Sequence, residues 1–157
     1  MSNTVKAIIA IAVPQLVAIL SGLASAGGTG DWYRQIEKPY FTPPSWVFGP
    51  VWTLLYLMMG IAAFLVWKRG LEKPGVRLAL LVFLIHLAFN GAWSILFFGM
   101  QLPGIAFADI ILLWCAIGLT VFLFFRQSAT AGALLVPYWG WVSFASVLNF
   151  YIWRLNF

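Results

Sequence analysis

The sequence predicts an all-α membrane protein, a five transmembrane helix bundle, and three observations carry that prediction. Of 157 residues, 63% are hydrophobic and only 8% charged, against roughly 25% charged in a soluble domain. Too few charges remain to coat a water-facing surface. The mean hydropathy is +0.96. The apolar residues fall into five long runs, each able to supply the ~20 residues that a spanning helix requires. Net charge +5 and a pI of about 9.7 raise nucleic acid as a partner, but no basic run is long enough to support it. The basic residues mark loops instead. Cys115 is the only cysteine, which excludes an intrachain disulfide.

The first helix is expected over about 5–26, around the uncharged run 7–26. Ala24-Ser25-Ala26 matches a signal-peptide cleavage site, yet the run is long enough to span, and we expect it retained. Pro14 is expected as a tolerated kink, with Ser21, Gly22 and Ser25 at close-packing positions. Residues 27–45 then read as a lid loop. Helix two is expected over 46–67, after Pro43-Pro44, which cannot occupy a helix interior, with Ser45 as its N-cap. Helix three is expected over 78–98 and helix four over 105–125. The short connection between them, marked by Gly99, Pro103 and Gly104, makes them antiparallel neighbours. Helix five is expected over 132–153, with Pro137 in its early turns.

Five spans place the termini on opposite sides. Lys6, Lys68, Arg69, Lys73, Arg77 and Arg126 then share one side, and Arg34, Lys38 and Arg154 the other. The positive-inside rule predicts a cytoplasmic N-terminus with the lid outside.

The stretch Asp31–Tyr56 organises the chain. Phe48, Trp52 and Tyr56 are four residues apart on one helical face, below an aromatic loop, which looks like a lid over a pocket. Trp46 and Tyr40 read as an interfacial belt, Trp52 as buried. In helix three, His86, Asn90, Trp93 and Phe97 share a face. In helix five, Asn149 shares one with Tyr138, Trp141, Ala145 and Ile152. Aromatic walls with few polar groups fit a binding pocket, although each amide also fits interhelical bonding. Asn90 reads as a pocket residue, while Asn149 is left open between the two roles. Asp109 reads as structural. No ligand cluster with metal spacing exists, Cys115 reads as packing, and hydrolytic or transfer chemistry has no residues to stand on. Leu148 to Arg154 fits a cholesterol-contact pattern that is common by chance. Its Tyr151, Trp153 and Arg154 read as an interfacial anchor.

These blocks resemble the TspO/MBR family, the tryptophan-rich sensory proteins that include the mitochondrial translocator protein (peripheral-type benzodiazepine receptor). They are WY at Trp32-Tyr33, EKP at Glu37–Pro39, TPPSWVFGPVWTLLY at Thr42–Tyr56, FNGAWSILFFG at Phe89–Gly99 and PYWGWVSFASVLNFYIWRLN at Pro137–Asn156. Ser94 departs from the proline of many members. The resemblance implies a five-helix bundle, usually a homodimer, binding porphyrins, sterols (cholesterol) and benzodiazepine-site drugs under the first loop. By the same resemblance, Tyr33, Trp52, Tyr56, Asn90 and Trp141 match pocket residues, and Ala145 a small position that tunes sterol and porphyrin binding.

Three functions follow as expectations. The first is a bacterial multi-pass membrane receptor or carrier for protoporphyrin IX or a related tetrapyrrole, with no cofactor required. Arg34 or Lys38 would meet the ligand's carboxylates. The second is a porphyrin-degrading enzyme dependent on light and oxygen, in which Trp52 and Trp141 match the catalytic tryptophans of relatives and the ligand supplies the photochemistry. The third is a solute or lipid transporter, or a scaffold. Against coupled transport stand the absence of an inverted repeat and the few charges within the spans. Gly91, Ala92, Gly99 and Ala108 are candidates for a dimer seam.

Overall fold

The structure, a computed structural model, describes the backbone of residues 1–157 and the side chains of all but residues 27–29. In order, the chain forms α1 (Asn3–Thr29), α2 (Asp31–Gln35), α3 (Ser45–Trp67) and α4 (Val76–Ser94). A π-helical turn (Ile95–Gly99), α5 (Pro103–Gln127) and α6 (Ala129–Asn156) complete it. Taking α4 with its π turn as one span, five helices among the described residues are long and apolar enough to cross a membrane. The chain is a multi-pass membrane protein. Helix α1 packs on α3 and α4, α3 on α6, α6 on α5, and α5 on α4, so the five spans close into a ring. Met59, Leu113, Ile117, Phe124, Leu135 and Tyr138 fill its centre.

Several helices outrun their apolar runs because local chemistry outside the runs satisfies their ends. The Ser2 and Ser128 hydroxyls accept from the amides of Val5 and Ala131, as N-caps do. Pro103 opens α5 at a position where its missing donor costs nothing. Ser45, expected as a cap, is instead the first helical residue; extended Pro44 precedes it and no side chain caps the helix. The earlier start of α6 also moves Pro137 out of its early turns. It lies two turns inside, where it deletes one backbone bond.

The expected lid loop is partly helical. Helix α1 continues through Thr29 and α2 adds a further turn, with Asp31 favourably placed at its N-terminus. Only Ile36–Pro44 is irregular. The small residues of α1 also divide. Ser21 and Ser25 are buried against the bundle, whereas Gly22 has nothing within 4 Å of an added Cβ.

Two proposed seam residues make close contacts within the protomer. A Cβ on Gly91 would meet Val17 at 3.2 Å, and one on Gly99 the Ala24 carbonyl at 3.1 Å. Both glycines let α1 approach α4 and its π turn; Gly91 is buried and closed to a second copy, whereas Gly99 keeps an exposed side. Just before that turn the Ser25 hydroxyl reaches the Ser94 carbonyl at 3.0 Å and the Ser94 hydroxyl at 3.2 Å. The ladder then widens: Met100 N–H donates to the Ile95 carbonyl at 2.7 Å, and Leu102 N–H to that of Leu96 at 2.9 Å. A widened turn of this kind re-aims side chains, and here it carries Phe97 and Phe98 under the lid.

Candidate functional site

The lid is tied down by its own backbone. Glu37 N–H donates to Asn156 Oδ1 at 2.8 Å, and Asn156 Nδ2 donates to the Glu37 carbonyl at 2.9 Å. Lys38 Nζ donates to the Ile36 carbonyl at 2.8 Å and sits 5.0 Å from the centre of the Tyr33 ring. Burial pushes the Tyr33 hydroxyl's pKa up. Arg34 is exposed.

Beneath the lid the rings pack closely. Tyr33 meets Phe98 edge-on at 5.6 Å between ring centres, Trp93 stacks on Phe97 at 5.3 Å, and Phe48 meets Trp141 at 5.9 Å. Such offset and edge-on contacts are the favourable ones for aromatic quadrupoles. Tyr33, Trp52, Trp141 and Ala145 all border the space that remains, but it measures only about 20 Å³, room for about one water. The Trp141 indole N–H is buried there without a hydrogen-bond partner among the described residues.

A second space lies on the other side of Trp52. It is a cleft of about 440 Å³ between α1, α3 and α4, within the range of small-molecule sites. Tyr56 and Asn90 border it, with Phe48, Trp52, Trp93 and Phe98 shared between the two spaces. Its far wall is α1, through Gln15, Ala18, Ser21, Gly22 and Ser25.

Both amides are engaged in bonding between helices. Asn90 accepts from the Tyr56 hydroxyl and donates to the Tyr138 hydroxyl at 2.9 Å, joining α3, α4 and α6. Asn149 accepts from Trp93 Nε1 at 2.9 Å and donates to the Pro103 carbonyl at 2.8 Å. Asn90, expected in the pocket, is thus only 3% exposed and reaches the cleft as part of a clamped triad. His86 is fully buried, with its ring 4.9 Å from that of Phe83. Asp109 is half-buried, and its Oδ2 has no hydrogen-bond partner. The linear cholesterol pattern does not form one surface, since Leu148 is buried while Tyr151 points outward beside Phe41.

Of the six expected ligand residues, four border the small space and three the cleft, Trp52 belonging to both. The wall contributed by α1 was missed. Its signal was present as Ser21, Gly22 and Ser25, expected as packing positions alone; Ala18 on the same face carried no expectation.

Five spans around an aromatic interior, covered at one end by a tethered lid, define a polytopic membrane protein of tryptophan-rich type. The chain belongs to the TspO/MBR family, whose profile matches residues 10–154. It is 41% identical to the tryptophan-rich protein TspO of Archaeoglobus fulgidus over 154 residues, covering 98% of this chain and 99% of that one. A tryptophan-rich protein TspO of Chlorobaculum tepidum is 49% identical over 125 residues, 80% of this chain and 79% of its own. The human translocator protein is 41% identical over 128 residues, 80% and 75% respectively.

Proposed function

We propose that this chain is a membrane receptor or carrier for a flat hydrophobic ligand, a tetrapyrrole such as protoporphyrin IX. Sterol-like and benzodiazepine-site ligands would use the same walls. Family membership supports the receptor or sensory role in general. The observation that carries the ligand class is Trp52, which borders both a small aromatic space and a cleft of about 440 Å³. A macrocycle does not fit the small space, so it would enter the cleft and displace rings shared with the space beneath the lid. The unpartnered Trp141 N–H then offers a donor, and exposed Arg34 a cation for an edge carboxylate.

A light- and oxygen-dependent breakdown of porphyrin is a second reading. It is favoured by the presence of both Trp52 and Trp141 on the wall of the space beneath the lid, where an indole beside an excited macrocycle can give up an electron. The test is a protoporphyrin titration in the dark, followed by illumination in air. Trp52→Phe and Trp141→Phe, which keep the apolar bulk, are expected to weaken binding about tenfold, a loss of ~1.4 kcal/mol. Unchanged affinity in both variants overturns the site. A new pigment formed by the unaltered chain and not by the double variant moves the reading from receptor to enzyme.

A further inference from the structure

A second apolar recess lies at the opposite end of the bundle, separate from the aromatic site. It measures about 280 Å³ and opens between α1, α3 and α4, with Ala10, Val13, Ala63, Trp67, Leu80 and Leu84 among its walls. None of its lining side chains is charged, so hydrocarbon is the chemistry that it accepts. It exists because α1 and α3 touch at Gly60, where an added Cβ would meet the Ile11 Cα at 2.7 Å. Nearer the helix ends, on the same side, the larger walls leave space.

The mouth of the recess is basic. Lys6 lies one turn before Ile9 and Ala10 on the same face of α1. Arg77 lies one turn before Leu80 on α4, and its Nε donates at 2.9 Å to the carbonyl of Leu71, itself a wall residue. Lys68 follows directly on Trp67, but its Nζ lies 5.7 Å from the ring centre of Phe64, outside the lining. Lys73 adds a fourth cation, while Glu72 is the one acid of that loop. Arg69 is directed elsewhere, onto the Gln127 carbonyl.

From this juxtaposition we infer a binding site for an anionic phospholipid. One acyl chain fills the α1–α3–α4 recess, and the phosphate rests on Lys6 and Arg77. Basic recesses at helix ends hold anionic headgroups in this way, the long side chains reaching to the interface while their stems cover apolar surface. A zwitterionic lipid offers the same chain but a choline group that these cations repel.

The test uses the full chain reconstituted in phosphatidylcholine vesicles containing a minor fraction of acyl-brominated phosphatidylglycerol or acyl-brominated phosphatidylcholine. The readout is fluorescence quenching attributable to Trp67, taken as the difference from Trp67→Phe. The brominated phosphatidylglycerol is expected to quench at a markedly lower mole fraction. Removing one cation, by Lys6→Gln or Arg77→Gln, is expected to weaken that preference about fivefold. Leu84→Phe, at a wall position 52% exposed, narrows the recess and is expected to reduce quenching by both lipids. Equal quenching by the two lipids in the unaltered chain overturns the site, as does a preference that survives both glutamine variants. Quenching untouched by Leu84→Phe overturns the placement of the chain.

Discussion

Where α3, α4, α5 and α6 meet near the lid, helices are held apart by large rings and joined by side-chain hydrogen bonds; along α1, small residues bring the chain into close contact with α3, α4 and the π turn. Between Trp93, Asn149 and Pro103, and again between Tyr56, Asn90 and Tyr138, directed bonds set the spacing. At Gly60 no side chain intervenes, and α1 and α3 meet through Ala10 and Ile11. Membrane helices lack a hydrophobic drive toward one another and depend on close contact and polar bonds. This bundle uses the two devices on different seams. The α1 seam can only be tight or broken, whereas the ring-lined seams can exchange one set of contacts for another, which a site that admits bulky ligands requires.

The comparison breaks most readily at Gly60. Gly60→Leu forces a branched side chain into the Ile11 backbone, and overpacking of this kind costs roughly 1–3 kcal/mol or more. A fall in detergent melting temperature larger than that of any lid-end variant below is expected. Asn90→Leu ranks second. It leaves the Tyr56 and Tyr138 hydroxyls without their partner, at about 1–2 kcal/mol, and thermal unfolding of single and double variants with Tyr138→Phe would show strong non-additivity. Asn156→Ala removes both bonds to Glu37, worth about 1 kcal/mol in sum for exposed groups. It is expected to speed amide exchange at Glu37 while leaving the melting temperature almost unmoved. Tyr40→Ser, at a side chain 99% exposed, is expected to shift stability by less than about 0.5 kcal/mol. A large effect there would reveal a contact made only in the membrane or with a partner.

The number and order of spans were legible because apolar length is a coarse signal that loops interrupt cleanly. Helix ends were less so, since Ser2 and Ser128 extend helices by bonds that hydropathy does not register. The aromatic face of Phe48, Trp52 and Tyr56 was legible from spacing alone. The division of the expected pocket into a small space and a large cleft was not, because it depends on how α1 stands against α3 and α4. That placement of α1 is set by the glycines that face it, Gly60 on α3 and Gly91 and Gly99 on α4 and its π turn. The π turn was equally hidden. Ser94 marked the place where the chain departs from its family, but only the reach of the Ser25 hydroxyl shows what occupies it.

The reciprocal bonds between Glu37 and Asn156 join the covering segment to the last turn of α6. Trp141 and Ala145 lie on that same helix, three to four turns earlier. A rigid rod gripped at its tip acts as a lever, so a displacement of the covering segment is delivered as a tilt to the wall below. A spin label or fluorophore near residue 153 therefore reads both ends of that lever at once.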